Sequence, residues 1–250
     1  MNRPLVRLAG LGAQAPAPTP RRAWTGRPAR PRPGVRRDVQ LLVGLVLYAA
    51  SIALLVRAHL GAMPWDVLTQ GIVRVTGWSF GTVTVAVSVV VLACWVPLRQ
   101  RPGVGTLANV LVIGVLVDPF LSLAAMLPDP EPVPLDLAAR GGLVVAGVLV
   151  NALATALYVG ARLGPGPRDG LMTGLVARTG WPVRAVRGGI EVVVVSVGWV
   201  LGGTVGVGTL VYALAIGPLV HVLLPRLTMP DPRPPVDDAG APGPCRVGDV

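Results

Sequence analysis

The chain has 250 residues, 52% of them hydrophobic and only 14% charged, with a mean hydropathy of +0.66. An ordinary soluble domain carries about 25% charged residues, so this composition excludes a water-soluble enzyme and makes a bilayer the natural solvent. The net charge of +10 invites a polyanionic partner, but nine of the 22 basic residues precede Asp38 and all 22 are arginine; such a block reads as a tail, and no nucleic-acid partner is expected.

Residues 1–38 hold no acidic group before Asp38 and many prolines, among them Pro16, Pro18, Pro20, Pro28, Pro31 and Pro33. That makeup predicts a disordered Arg/Pro-rich cytoplasmic arm near anionic lipid. It lacks the apolar stretch of a cleavable signal. Apolar runs follow at 39–58, 79–98 and 104–127, then at 139–160, 183–203 and 207–227. At 1.5 Å per residue, about 20 residues cross the roughly 30 Å of hydrocarbon, so each run suffices for one span. The predicted organisation is a first membrane repeat at 39–127, an extracytoplasmic loop at 128–138, a second repeat at 139–227 and a disordered tail at 228–250. Between the first two runs of each repeat lie shorter half-polar stretches, 61–77 and 164–180, which predict re-entrant or broken helices. Arg99, Arg101, Arg162, Arg168, Arg178, Arg226 and Arg233 fall on the side of the arm, opposite Arg57, Arg74, Arg140 and the acidic loop with Asp129, Glu131 and Asp136. The positive-inside rule then puts both termini in the cytoplasm.

Residues 44–121 align without a gap to 147–224 at an offset of 103, with about 32 of 78 pairs identical. LGAMPWDVLTQG (60–71) pairs with LGPGPRDGLMTG (163–174), Thr76-Gly77-Trp78 with Thr179-Gly180-Trp181, and GVGTL (103–107) recurs at 206–210. Apolar drift does not keep Pro, Asp, Trp and Gly in register. Three spans per copy is an odd number, so the second copy enters the membrane from the opposite side. The predicted fold class is therefore an all-α integral membrane protein of about six transmembrane helices, arranged as two inverted three-helix repeats. If the short stretches crossed fully, the repeats would instead be parallel.

The phrases Pro64-Trp65-Asp66-Val67-Leu68 and Gly166-Pro167-Arg168-Asp169-Gly170-Leu171, each after a hydrophobic span and a Leu-Gly, resemble those of the YczE/YyaS/YitT group of bacterial integral membrane proteins. The resemblance covers about 40–227 and implies a multi-pass protein of the bacterial cytoplasmic (inner) membrane. It implies no particular reaction.

Each short stretch places Pro64 or Pro167 at a first helical position, with Asp66 or Asp169 two residues later, facing the positive end of a helix dipole. Simple helix capping is one reading. The other is that broken helices at matching places in inverted halves mark a central binding site, with Trp65 and Arg168 beside the carboxylates. Asp118 and His221 occupy equivalent positions late in the third and sixth spans, near each other across the repeat or separately reaching water. Arg184, Arg187 and Glu191 lie in the fifth span where the second has Gly81, Thr84 and Ser88. Arg187 and Glu191 can pair four apart on one face, or an arginine can engage an anionic substrate. Gly77-Trp78-Ser79-Phe80-Gly81 spells a nucleophile elbow but has no strand-to-helix turn, so Ser79 reads as a helix start. Cys94 and Cys245 predict no disulfide or metal site, and no cofactor motif is present.

The expected function is a small-molecule permease or exporter, not an enzyme. It would carry a small anionic or zwitterionic solute through a cavity lined by Asp66, Asp169, Arg184, Arg187 and Glu191. A membrane-embedded accessory or scaffold protein for a cytoplasmic partner is the competing class. An intramembrane aspartyl protease using Asp66 and Asp169 is the remote one.

Overall fold

A computed structural model describes residues 34–127 and 133–230. Expectations for the arm before residue 34, for Asp129 and Glu131 in the loop, and for the tail from residue 231 lie outside the described residues. All secondary structure described is helical: α1 (Val35–Arg57), α2 (Pro64–Thr76), α3 (Phe80–Trp95), α4 (Val104–Ala125), α5 (Val133–Gly160), α6 (Pro167–Thr179), α7 (Val183–Val200) and α8 (Val207–Leu227). The helices fall where the apolar periodicity puts them, with one notable difference. α5 starts at Val133, ahead of the apolar run at 139, because Asp136 and Arg140 pair one turn apart at 2.7 Å and carry the helix outward.

Four helices, α1, α4, α5 and α8, are long and apolar enough to cross a membrane, and a fifth span results if α2 and α3, bent by 116°, count as one. Six spans are expected from the sequence. α7 falls short because Arg184, Arg187 and Glu191 interrupt its apolar run. The outer faces are apolar: Val89, Val90, Leu107, Val192, Val193 and Leu210 are each more than half exposed. Water does not tolerate so extensive an apolar surface, whereas lipid does.

The centre is the crossing of α1 and α5. A β-carbon at Gly44 would press on the backbone of Ala154 and Tyr158, Ser51 meets Asn151, and Gly147 lies under Leu54 and Leu55. Residue numbers therefore rise along one helix as they fall along the other, and the two run antiparallel. Small residues at the crossing let the backbones approach. Polar groups buried there are satisfied in a chain. Tyr212 donates to Asn151 Oδ1 at 2.9 Å, Asn151 to Ser51 at 2.8 Å, and Ser51 to the Tyr48 carbonyl at 2.7 Å.

α4 packs on α1 and α8 on α5, while α2 lies on α7 and α6 on α3. Each short helix thus packs on the second long helix of the other repeat. The loops before the short helices dock the same way. The Gly105 N–H donates to the Leu163 carbonyl at 3.0 Å, and the Gly208 N–H to the Leu60 carbonyl at 2.7 Å. Both pairs carry the 103-residue offset with the halves exchanged. Gly61 (φ 119°) and Gly164 (φ 137°) make these turns, in a backbone region where a side chain would clash, and each lies directly against a threonine of the opposite repeat, Thr209 or Thr106.

Candidate functional site

Pro64 and Pro167 each stand in the first turn of a 13-residue helix that follows an extended residue, Met63 or Gly166. Proline's fixed φ suits that position and its missing N–H is no loss there. The two helix starts meet: the Arg168 guanidinium lies over the Trp65 ring, 5.1 Å from its centroid. Residues 65 and 168 are equivalent by the repeat. The contact therefore joins corresponding places in the two copies.

Asp66 is 1% exposed, and neither of its oxygens has a hydrogen-bond partner. Its nearest cation is Arg168 Nη2 at 3.7 Å. The capping reading thus fails as a hydrogen bond, since no side chain caps α2 or α6. What remains of it is the attraction of a carboxylate for the N-terminal end of the helix dipole. Asp169 is half-buried and accepts a hydrogen bond from the Tyr158 hydroxyl at 2.5 Å. Tyr158 is also edge-on to Tyr48, with ring centroids 6.1 Å apart.

Two chambers flank this junction. The larger, about 410 Å³, is lined by Trp65, Arg168, Asp169, Arg187, Glu191 and all three tyrosines of the chain, with Met63, Met172, Ile190, Ile216 and Val220 as apolar wall. The smaller is about 50 Å³. Tyr48, Tyr158, Arg168 and Asp169 border both. The remaining walls of the small chamber, Thr84, Ser88, Asn109, Ile113, Gly166 and Pro167, are the repeat equivalents of Arg187, Glu191, Tyr212, Ile216, Met63 and Pro64, all of which line the large one. The two chambers are the same place in the two halves, one open and one nearly shut.

The difference lies in how the second and third long helices of each repeat meet. Gly81 sits so close to the Gly114 carbonyl on α4 that a β-carbon would overlap it, and its N–H donates to Asp118 Oδ1 at 2.9 Å. In the second half the equivalent residues are Arg184, Gly217 and His221. Gly217 has open space where Gly114 meets Val85, and α7 barely touches α8.

Of the expected cavity residues, Asp169, Arg187 and Glu191 line the large chamber, and Pro64, Trp65 and Arg168 from the helix-start motifs join them, whereas Pro167 lines the small one. Asp66 does not; it is sealed behind Arg168. Arg184 is exposed outside the cavity, because it stands in the first turn of α7, one turn before Arg187. Asp118 binds the start of α3, His221 is exposed on α8, and no hydrogen bond or ion pair joins them. Arg187 Nε donates to Glu191 Oε1 at 2.9 Å, the pairing expected from their spacing. Ser79 caps α3, accepting from the Thr82 N–H at 3.2 Å.

Sequence reading misses Tyr48, Tyr158, Tyr212 and Trp95. A partial signal was there: Tyr48 and Tyr212 lie inside apolar runs, away from the interfacial belts where tyrosine is usual, although Tyr158 falls two residues from the end of its run. Among the described residues no three His, Cys, Asp or Glu side chains converge as a metal-ligand set.

An all-helical bundle with apolar outer faces, spanning-length helices and charged side chains gathered on a cavity wall is an integral membrane protein. The chain belongs to the family described as Family of unknown function (DUF6198), which matches residues 35–225. It is 37% identical over 187 residues to an uncharacterized protein of Haemophilus influenzae, covering 73% of this chain and 83% of that one. It is also similar to two proteins of Bacillus subtilis. One is the uncharacterized membrane protein YczE, 29% identical over 187 residues, 73% of this chain and 83% of the relative. The other is the uncharacterized protein YyaS, 25% identical over 185 residues, 73% of this chain and 90% of the relative. These bear out the resemblance carried by the two Pro-x-Asp phrases. No solved structure matches.

Proposed function

We propose that this protein is a small-molecule permease of the bacterial cytoplasmic membrane, built from two inverted repeats with both termini in the cytoplasm and working by exchange of conformation between its halves. One observation carries the reading: the two chambers occupy equivalent sites in the two copies and differ in opening, about 410 Å³ against about 50 Å³. In an inverted-repeat transporter, the structure open to one side becomes the structure open to the other when each half adopts its partner's arrangement. Here that exchange parts α3 from α4 and brings α7 toward α8, and the residues bordering both chambers form the divider. The antiparallel crossing of the equivalent helices α1 and α5 supports inversion of the repeats. Arg37, Gln40, Gly160 and Leu227 meet at one end, together with the arginine-rich flanks that favour the cytoplasm. The chemistry asked of the chain is binding and release, with no catalytic step.

Proteoliposomes of the purified protein, loaded in turn with labelled amines, carboxylates and zwitterions, test the transport reading. The expected result is protein-dependent flux of one class, lost when Ser88→Cys and Ile113→Cys lock the small chamber under a bifunctional thiol reagent. Absence of flux across the panel returns the protein to the accessory or scaffold class. Reporter fusions after residues 132 and 250 are expected on opposite sides of the membrane.

A further inference from the structure

The large chamber carries four charged side chains on its wall, and three of them are already engaged. Arg187 is bonded to Glu191 at 2.9 Å. Arg168 lies over Trp65 and has Asp66 behind it at 3.7 Å. An arginine whose charge is met by a buried carboxylate and whose plane is covered by an indole offers little to an incoming anion. Asp169 differs. Among the described residues no cationic group lies within ion-pair distance of it, and its one hydrogen-bond partner is the Tyr158 hydroxyl, which donates to Oδ2 at 2.5 Å. Oδ1 carries no hydrogen bond among the described residues, and its lone pairs are available at the wall of the chamber. Around it stand the rings of Tyr48, Tyr158 and Tyr212. Aromatic faces attract cations and repel carboxylates, and the remaining wall is aliphatic.

We propose that the group recognised in this chamber is the ammonium of a small organic cation, held by Asp169 and enclosed by the tyrosine rings. The sequence suggests an anionic or zwitterionic solute; this proposal puts the recognition on the cationic group instead. It deepens the permease reading and rests on it for the ligand's fate, but not for its binding. A volume of about 410 Å³ takes a compact ligand with one charged head and an apolar body, at the small end of the range for binding cavities.

Calorimetric titration of the full-length protein in nanodiscs tests this with two isosteric probes, butylamine and butanoate, against blank nanodiscs. Butylamine is expected to bind and butanoate not. Asp169→Asn is expected to weaken butylamine at least about tenfold, the worth of a charge-assisted hydrogen bond. Met172→Lys puts an ammonium one helical turn from Asp169 and is expected to abolish butylamine binding through self-occupancy. This second variant keeps the proposal falsifiable if loss of the carboxylate impairs folding. Butanoate binding in preference to butylamine, no binding of either, or butylamine affinity unchanged in both folded variants would overturn it. Carboxylate flux from liposomes defeats this proposal and leaves the permease reading standing, whereas butylamine binding without amine flux does the reverse.

Discussion

Asp66 and Asp169 occupy the same place in two copies of one motif, yet they live in opposite surroundings. Asp66 is sealed, with a guanidinium at 3.7 Å and no hydrogen bond. Asp169 stands at the wall of a cavity and takes a tyrosine hydroxyl. Their neighbours explain the difference. Where Asp169 has Tyr158, the first repeat has Leu55, and where Trp65 follows Pro64, the second repeat has Arg168 after Pro167. The arginine of one copy reaches across to neutralise the carboxylate of the other, so a duplicated residue acquires a structural duty in one half and an open coordination position in the second. Duplication supplies two identical groups, and substitution around them divides the labour.

The two crossed interfaces show the same division in packing. On α6, Gly170 receives the Trp95 ring of α3, whose Nε1 donates to the Pro167 carbonyl at 3.0 Å. On the other side the sizes are swapped, with Gly198 of α7 pressed against the α2 backbone at Val67 and Leu68. A glycine permits the close approach in each case, but on opposite partners, against an indole in one and against backbone in the other. The largest expected effect follows from breaking that match. Gly170→Val, which copies Val67, is expected to abolish folded protein, while adding Trp95→Gly restores a measurable thermal transition, because the pair then reproduces the α2–α7 arrangement. Equal damage by the single and double variants would show that the interfaces are not interchangeable.

Next in size is the junction itself. Arg168→Leu leaves Asp66 buried without a cation and is expected to cost about 3–5 kcal/mol, most of it recovered in the Asp66→Leu, Arg168→Leu double variant. Denaturant titration of the four proteins in one detergent gives the coupling energy. Additive losses would mean that the pair does not compensate a buried charge.

A smaller change sharpens the contrast between α3–α4 and α7–α8. Gly81→Ala places a methyl against the Gly114 carbonyl and is expected to cost about 1–3 kcal/mol by overpacking. It also disturbs the bond to Asp118, so labelling of Ser88→Cys in a Cys94→Ser, Cys245→Ser background should rise. Labelling unchanged would place the closure of the small chamber elsewhere than this contact. The smallest effect belongs to the Arg187–Glu191 pair, whose side chains are 46% and 28% exposed. Glu191→Gln should lower stability by only about 0.3–0.5 kcal/mol, as helix-surface pairs do. A loss of several kcal/mol would mean that this pair is shielded from solvent in a way that its partners in the cavity are not.

Helix positions, the repeat and the helix-start motifs were legible in the residues because they rest on local rules: apolar runs of spanning length, proline at a first turn, glycine at its end, and a register that survives in 32 of 78 positions. The Arg187–Glu191 pair was legible for the same reason, since four residues fix one face of a helix. Which carboxylate meets the cavity was not. Asp66 and Asp169 carry the same local signal, and their fates depend on Arg168, Tyr158 and Trp95, which reach them from other helices. Arg184 looked like a cavity residue because charge in a span usually points inward, but it stands in the first turn of α7, outside the cavity. The sequence by itself determines the elements and their pairing by symmetry, since these follow from periodicity and from one gene segment copied onto another. Only the tertiary structure decides which of two equivalent chambers is open, because that rests on packing between distant helices, where a glycine against a carbonyl on one side and an arginine facing open space on the other set the distance.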